Sequence, residues 1–131
     1  MPRKTDASNP ADWIYFCESD LPGLKVLADR EMCWHMCQSK LSEVLAKALK
    51  AELIRLGWTL VKTHDLIRLA QELEKFNSDL METIAPWCNE MVDWYFADRY
   101  PGFDTEEADW EMLRKRIDSI TQLVGTIKGR I

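Results

Sequence analysis

Apolar residues recur at steps of three and four along most of this chain, and this spacing places them on one face of an α-helix. The clearest stripe lies between residues 31 and 57 and consists of Cys33, Cys37, Leu41, Val44, Leu45, Ala48, Leu49, Leu53 and Leu56. A second stripe near the end of the chain consists of Trp110, Leu113, Ile117, Ile120, Val124 and Ile127. No segment reads as a series of strands. The pattern therefore predicts an all-α protein.

Capping residues and helix breakers set the predicted ends of five helices. Asn9-Pro10 begins the first helix, which runs to about Asp29 with a kink or a break at Pro22-Gly23. The second helix covers 31–57 and ends at Gly57, and the third begins at its cap Thr63. The fourth runs from about Ser78 through Pro86 to about Asp98. The fifth begins at a capping box formed by Asp104 and Glu107.

The connections between these helices are short, so that neighbouring helices should run antiparallel. We therefore expect an antiparallel up-and-down bundle of four to five helices. The 131 residues form a single domain, 1–131, in which residues 1–8 are expected to be a flexible N-terminal tail.

Composition excludes several classes of protein. No apolar run approaches the roughly 18–20 residues that span a bilayer, and the first ten residues lack the apolar segment of a signal peptide, so a cytoplasmic location is expected. The four cysteines, Cys17, Cys33, Cys37 and Cys88, form no CxxC pair and are expected to be buried thiols. Neither a metal site nor a cofactor is predicted.

The net charge of −5 argues against a protein that binds nucleic acid with its whole surface. Only residues 40–75 carry more basic than acidic side chains. Within them, Lys47 and Lys50 are three positions apart on one side of the predicted second helix, where two lysines could hold a phosphate. The alternative is that both are solvated lysines bordering the core.

Two histidines complete the candidate chemistry. His64 follows the predicted cap Thr63, where it either orders the helix start or contacts an anion. Arg30 and His35 are five positions apart, a poor spacing for joint action on one helix. No phosphate-binding glycine loop, GxSxG or HExxH motif is present, so the residues alone specify no reaction.

Several motifs occur together in a recognisable order. LAKALKAELIRLGWTLVKTHDLIRLAQEL is followed by ADRYPGFDTEEAD, and ADWIYFCESDL precedes both. With K-A-L-K-A at Lys47–Ala51, T-H-D-L at Thr63–Leu66 and R-Y-P at Arg99–Pro101, the chain resembles the HEPN domain family (higher eukaryotes and prokaryotes nucleotide-binding) over nearly its whole length.

The resemblance implies a helical bundle that is commonly a homodimer. Members are often encoded beside a small nucleotidyltransferase, in a two-component, toxin–antitoxin-like pair. Other members are metal-independent ribonucleases, which use an arginine and a histidine four to six residues apart, late in the bundle and brought together across the dimer.

This chain departs from the ribonuclease pattern, because no histidine follows His64. Arg30 and His35 have the required spacing but lie in the wrong helix. We therefore expect a non-catalytic module that binds a nucleotide or an RNA phosphate, or that docks a nucleotidyltransferase. The expected ligand-binding residues are Lys47, Lys50, His64, Arg99 and Tyr100. The alternatives are a ribonuclease toxin that uses Arg30 and His35, and a dimeric scaffold without a ligand.

Overall fold

The computed structural model describes residues 4–102 and 107–131, and all the regular secondary structure of these residues is helical, with no strand. The helices are α1 (Pro10–Asp29), α2 (Trp34–Arg55), α3 (Leu66–Lys75), α4 (Met81–Met91) and α5 (Trp110–Lys128), with a short 3₁₀ helix at Trp94–Phe96. The predicted fold class is confirmed.

The longest helix, α2, lies at the centre of the bundle and packs against α1, α3 and α5. Its predicted apolar stripe forms much of the core: Leu41, Leu45, Leu49 and Leu53 have no exposed surface. Helix α1 runs antiparallel to α2 and unbroken through Pro22. Because α1 is antiparallel to α2, the beginning of α1 lies beside the end of α2, where Lys47 and Lys50 are found.

The predicted start of α2 is wrong by three residues. Glu31 and Cys33 adopt left-handed backbone angles, with φ of 53° and 59°, so the helix begins only at Trp34. Cys33 is consequently exposed and does not join the buried stripe. The other end follows the prediction: Gly57 has φ of 102°, and the amides of Gly57 and Trp58 donate to the carbonyls of Ile54 and Leu53.

The predicted cap of α3 is also wrong. Asp65 is the cap, and its carboxylate accepts from the amides of Ile67 and Arg68 at 3.0 and 3.3 Å. Thr63 instead accepts from the amide of Asp65. His64 therefore precedes the helix. The Asp65 carboxylate binds the free amides at the start of α3, where the sequence allowed a bound anion.

The remaining helix ends shift as well. Helix α4 begins at Met81 because residues 77–80 form the turn that ends α3, and it stops at Met91 where the prediction continued to Asp98. Asp109 caps α5, and its carboxylate accepts from the amide of Met112. The predicted capping residue Asp104 lies outside the described residues.

Burial decides the chemistry of three cysteines. Burial raises the pKa of Cys17 and of Cys88 to about 12, and burial followed by repulsion from Cys33 raises that of Cys37 to about 11. They are therefore protonated thiols at neutral pH, as expected for small core residues. In the described parts of the chain no group of three or more His, Cys, Asp or Glu side chains could hold a metal ion.

No helix among the described residues is both long enough and apolar enough to cross a membrane.

Candidate anion-binding site

A cavity of about 420 Å³ lies between the N-terminal part of α1, the C-terminal half of α2 and the loop that leads to α3. Its lining residues are Ala7, Trp13, Lys50, Leu60, Lys62, Thr63 and His64. We call it the Lys50 cavity. It brings together two of the predicted ligand-binding residues, Lys50 and His64, which are fourteen positions apart in the sequence.

Among the described residues, the two lysines of the Lys50 cavity have no acidic partner. Lys50 places its ammonium group 5.0 Å from the centre of the Trp13 ring, and neither Lys50 nor Lys62 makes an ion pair within residues 4–102 and 107–131. Burial, followed by repulsion from Lys47, lowers the pKa of Lys50. An anion bound in this cavity would offset both effects and raise the pKa of Lys50 again, because an opposite charge nearby favours the charged form.

Trp13 forms the apolar wall of the cavity and is held by the segment before α1. Its indole N–H donates to the carbonyl of Ala7 at 2.8 Å, and the amide of Asp6 donates to the carboxylate of Asp12 at 2.8 Å. The segment around Ala7 thereby lies against α1 and closes one side of the cavity. The predicted flexibility of residues 1–8 stays a prediction, since residues 1–3 lie outside the description.

Lys47 has a different environment from Lys50. Its ammonium group lies 3.7 Å from the carboxylate of Asp20 and 5.6 Å from the centre of the Phe16 ring. It does not line the Lys50 cavity. The pair with Asp20 holds α1 against α2 and largely compensates the charge of Lys47 within the protein. Lys47 still repels Lys50, which is one turn away.

His64 stacks on an aromatic ring that the sequence did not single out. The ring of Tyr95 lies parallel to the imidazole with centroids 3.6 Å apart, and the ring of Phe96 meets it edge-on at 5.8 Å. Stacking holds the imidazole in one orientation at the rim of the cavity. Tyr95 belongs to the 3₁₀ helix, so its stacking on His64 connects the 3₁₀ helix to the loop before α3.

Arg99 covers the other face of Tyr95. Its guanidinium carbon lies 4.0 Å from the ring centre, and two groups this close to one ring must occupy opposite faces, since they would overlap on one. Arg99 also binds Glu43 at 2.8 Å and Asp98 at 3.0 Å, and it bonds Ser39.

The charge of Arg99 is therefore compensated, whereas those of the two cavity lysines have no acidic partner within residues 4–102 and 107–131. Burial raises the pKa of the Glu43 carboxyl, but hydrogen bonds from Lys40 and Arg99 outweigh burial and bring it below its usual value. Glu43 is consequently an ionised partner at neutral pH. Tyr100 is 56% exposed, and its ring lies 6.1 Å from that of Phe96. Arg99 and Tyr100 thus lie behind Tyr95 rather than in the cavity.

The alternative pair, Arg30 and His35, flanks the turn between α1 and α2. Arg30 ends α1, His35 is the second residue of α2, and both are exposed. The two residues do not share a helix, so the angular argument against them does not apply. Neither of them lines the Lys50 cavity.

The sequence model of the HEPN domain matches residues 11–127, which is nearly the whole chain. The chain belongs to the HEPN domain family. Comparisons with curated proteins and with solved structures give no significant match. Family membership supports a nucleotide- or RNA-related module in general terms, and it agrees with the helical bundle described above.

Three residues of this HEPN site escaped the sequence analysis: Trp13, Lys62 and Tyr95. Lys62 carried a signal, because it stands two positions before His64 with no acidic residue between them. Trp13 and Tyr95 carried none, since an aromatic residue on an amphipathic helix is usually part of the core. Their positions depend on which helices pack together.

Proposed function

We propose that this HEPN protein is a non-catalytic binder of a phosphate-bearing ligand, either a nucleotide or RNA, and that it binds the phosphate in the Lys50 cavity. One observation carries the proposal. Lys50 and Lys62, neither of which has an acidic partner in the described chain, share a cavity with His64 and the indole of Trp13.

The composition of the cavity suits a phosphate attached to an organic group. Lysine offers a compact charge with three donors, which suits a phosphate oxygen approached from any direction. Trp13 and Leu60 add apolar surface on the same cavity, against which a sugar or a base can pack. A purely structural scaffold gives no reason to bury Lys50 beside Lys62 without an acidic partner among the described residues, because burying an unpaired charge costs stability.

Reversing both cavity charges is expected to abolish binding. In Lys50→Glu/Lys62→Glu, affinity for a fluorescently labelled single-stranded RNA should fall at least about a hundredfold, since two charge-assisted contacts are replaced by repulsion. Fluorescence polarisation measures the affinity, and circular dichroism checks that the helices remain.

The matched control is Lys75→Glu/Lys115→Glu, which makes the same change in net charge on exposed lysines paired with Glu72 and Glu111. It should bind like the unaltered protein apart from a small, salt-dependent loss. If both variants lose affinity equally, the net charge of the protein alone explains the binding, and the proposal is overturned. The RNA should remain intact without metal; cleavage that His35→Ala stops would establish the ribonuclease alternative instead.

The proposal includes a homodimer, for which the family resemblance gives the expectation and the surface gives a location. A groove of about 470 Å³ runs between α1 and α5. Leu21, Pro22, Ile117 and Val124 form its apolar floor and walls. A Cβ atom at Gly125 would have no neighbour within 4 Å, so the groove is open along the α5 side. We propose that a second copy of the chain covers this groove.

The charged rim of the groove is complementary to itself. Glu18 pairs with Lys128 at one end and Lys25 with Asp118 at the other, at 3.1 and 3.2 Å. If a two-fold axis runs along the groove, Glu18 faces Lys128 of the partner subunit and Lys25 faces Asp118 of the partner subunit. If the axis runs across it, Glu18 faces Lys25 of the partner subunit. Opposite charges meet in either case, which favours an isologous interface.

Making the whole rim positive is expected to yield a monomer. In Glu18→Lys/Asp118→Lys all four rim groups carry the same sign, so two copies repel each other in either arrangement. Light scattering coupled to size-exclusion chromatography should show a dimer for the unaltered protein and a monomer for this variant. Glu74→Lys/Glu111→Lys, with the same charge change on exposed residues elsewhere, should stay dimeric; a dimer in both variants would refute the location.

The nucleotidyltransferase partner and the toxin–antitoxin-like pairing remain predictions from the family resemblance. Both are compatible with a non-catalytic HEPN module, because docking a partner requires no reaction from this chain.

A further inference from the structure

The Lys50 cavity contains features that select among phosphates, and on these we infer that it recognises a terminal phosphate monoester at the end of a nucleic acid strand or on a mononucleotide, rather than an internal phosphodiester. This inference rests on the proposed function and makes it more specific. Its support comes from the charge of the cavity, from its closed side and from what lies behind that side.

The Lys50 cavity holds positive charge that no acidic side chain of the described residues compensates. Lys50 and Lys62 supply two positive charges without an acidic partner in the described chain, and His64 adds a ring nitrogen at the same cavity. A terminal phosphate carries a charge between −1.5 and −2 at neutral pH and has three acceptor oxygens. An internal phosphodiester carries a single charge on two unbridged oxygens. Two lysines and an imidazole match the monoester in both charge and number of donors.

The Lys50 cavity has a wall on one side. An internal phosphate needs two exits, because the strand continues in both directions from it. Here Trp13 and the segment around Ala7 form a wall, which the 2.8 Å hydrogen bond between the indole N–H and the Ala7 carbonyl holds in place. A strand that enters from the open side meets this wall, and a phosphate at the end of the strand reaches the lysines without needing a second exit.

The far side of that wall also limits where a strand can run. A second, smaller cavity of about 100 Å³ shares Ala7 and Trp13 with the first and is lined by Asp6 and Asp12. The amide and hydroxyl of Ser8 donate to the Asp6 carboxylate and lower its pKa, which keeps it ionised at neutral pH. The negative charge of Asp6 behind the wall disfavours a further phosphate in that direction.

The test compares one RNA sequence in three forms: with a 5′-phosphate, with a 3′-phosphate and with hydroxyl groups at both ends. An internal fluorophore leaves the ends free, and fluorescence polarisation measures each affinity. We expect one phosphorylated form to bind about tenfold more tightly than the hydroxyl form. The arm that gains affinity identifies the strand end, and AMP should compete with it at lower concentrations than cyclic AMP does, since cyclic AMP is a diester.

Variant proteins connect the preference to the cavity. Lys62→Gln removes the charge and keeps a polar side chain that is only one atom shorter, and it should reduce the tenfold preference to about twofold or less. Lys115→Gln on the exposed part of α5 should leave the preference unchanged. Equal affinity for all three RNA forms overturns the terminal-phosphate inference. If the equal binding is still lost in Lys50→Glu/Lys62→Glu, the proposed function stands; if no form binds, both fail.

Discussion

Replacing Glu52 by alanine should lower the free energy of unfolding by about 3–5 kcal/mol, the usual cost of breaking a buried ion pair. Glu52 lies on α2 with no exposed surface, and its carboxylate accepts from Arg55 at 2.5 Å and from Arg130 at 2.9 Å. Without it, Arg55 loses its charged acceptor, Arg130 keeps only Asp79, and a cavity remains beside the helix.

The same carboxylate holds the end of the chain in place. Arg130 donates to Glu52 and, through both terminal nitrogens, to Asp79 at 2.7 and 2.9 Å. Three segments meet there: α2, the turn before α4 and the residue after α5. Loss of Glu52 therefore loosens α5 at its end, in addition to the local cost.

Guanidinium denaturation followed by tryptophan fluorescence measures the loss. Glu52→Gln, which keeps the shape, should cost less than Glu52→Ala, so a folded variant is available if alanine prevents folding. Glu111→Ala, at an exposed carboxylate paired with Lys115, should change the free energy of unfolding by no more than about 0.5 kcal/mol. A Glu52→Ala protein as stable as the Glu111→Ala protein would contradict the assigned role.

Replacing Tyr95 by alanine should affect both stability and binding. The side chain is half-buried and lies between His64 and Arg99, so we expect a loss of about 2–3 kcal/mol in the free energy of unfolding. Affinity for RNA should fall roughly three- to tenfold, because the released imidazole must be ordered again when the ligand binds.

Tyr95→Phe separates the ring from the hydroxyl group. It keeps both stacking faces, so stability and affinity should remain close to those of the unaltered protein. Denaturation and fluorescence polarisation on the same samples give both quantities. If Tyr95→Ala loses stability but keeps full affinity, Tyr95 supports the fold alone and the orientation of His64 has no part in binding.

The sequence by itself determined the fold class and most of the core. The stripe on α2 carries an apolar residue at about every helical turn, and Leu41, Leu45, Leu49 and Leu53 are buried as predicted. Strong periodicity over more than twenty residues leaves only one face for the core, whichever partner helix covers it. Gly57 ended α2 for an equally local reason, since few other residues adopt its backbone angle.

Local signals were less decisive where several residues could play the same part. Thr63 and Asp65 are both good helix caps two positions apart, and the one that bonds to the first free amides is Asp65. Two left-handed residues, Glu31 and Cys33, delay α2, and nothing in their side chains requires that angle.

Only the tertiary structure decided which cations are available to a ligand. Lys47 and Lys50 are the same residue type one turn apart on α2, and their surroundings differ because α1 packs antiparallel to it. That packing sets Asp20 beside Lys47 and Trp13 beside Lys50. The charge of Lys47 is therefore compensated, whereas that of Lys50 has no acidic partner in the part of the chain that the structure describes. A side chain's own sequence neighbours determine its helix face, whereas its electrostatic partner comes from whichever element packs across from it.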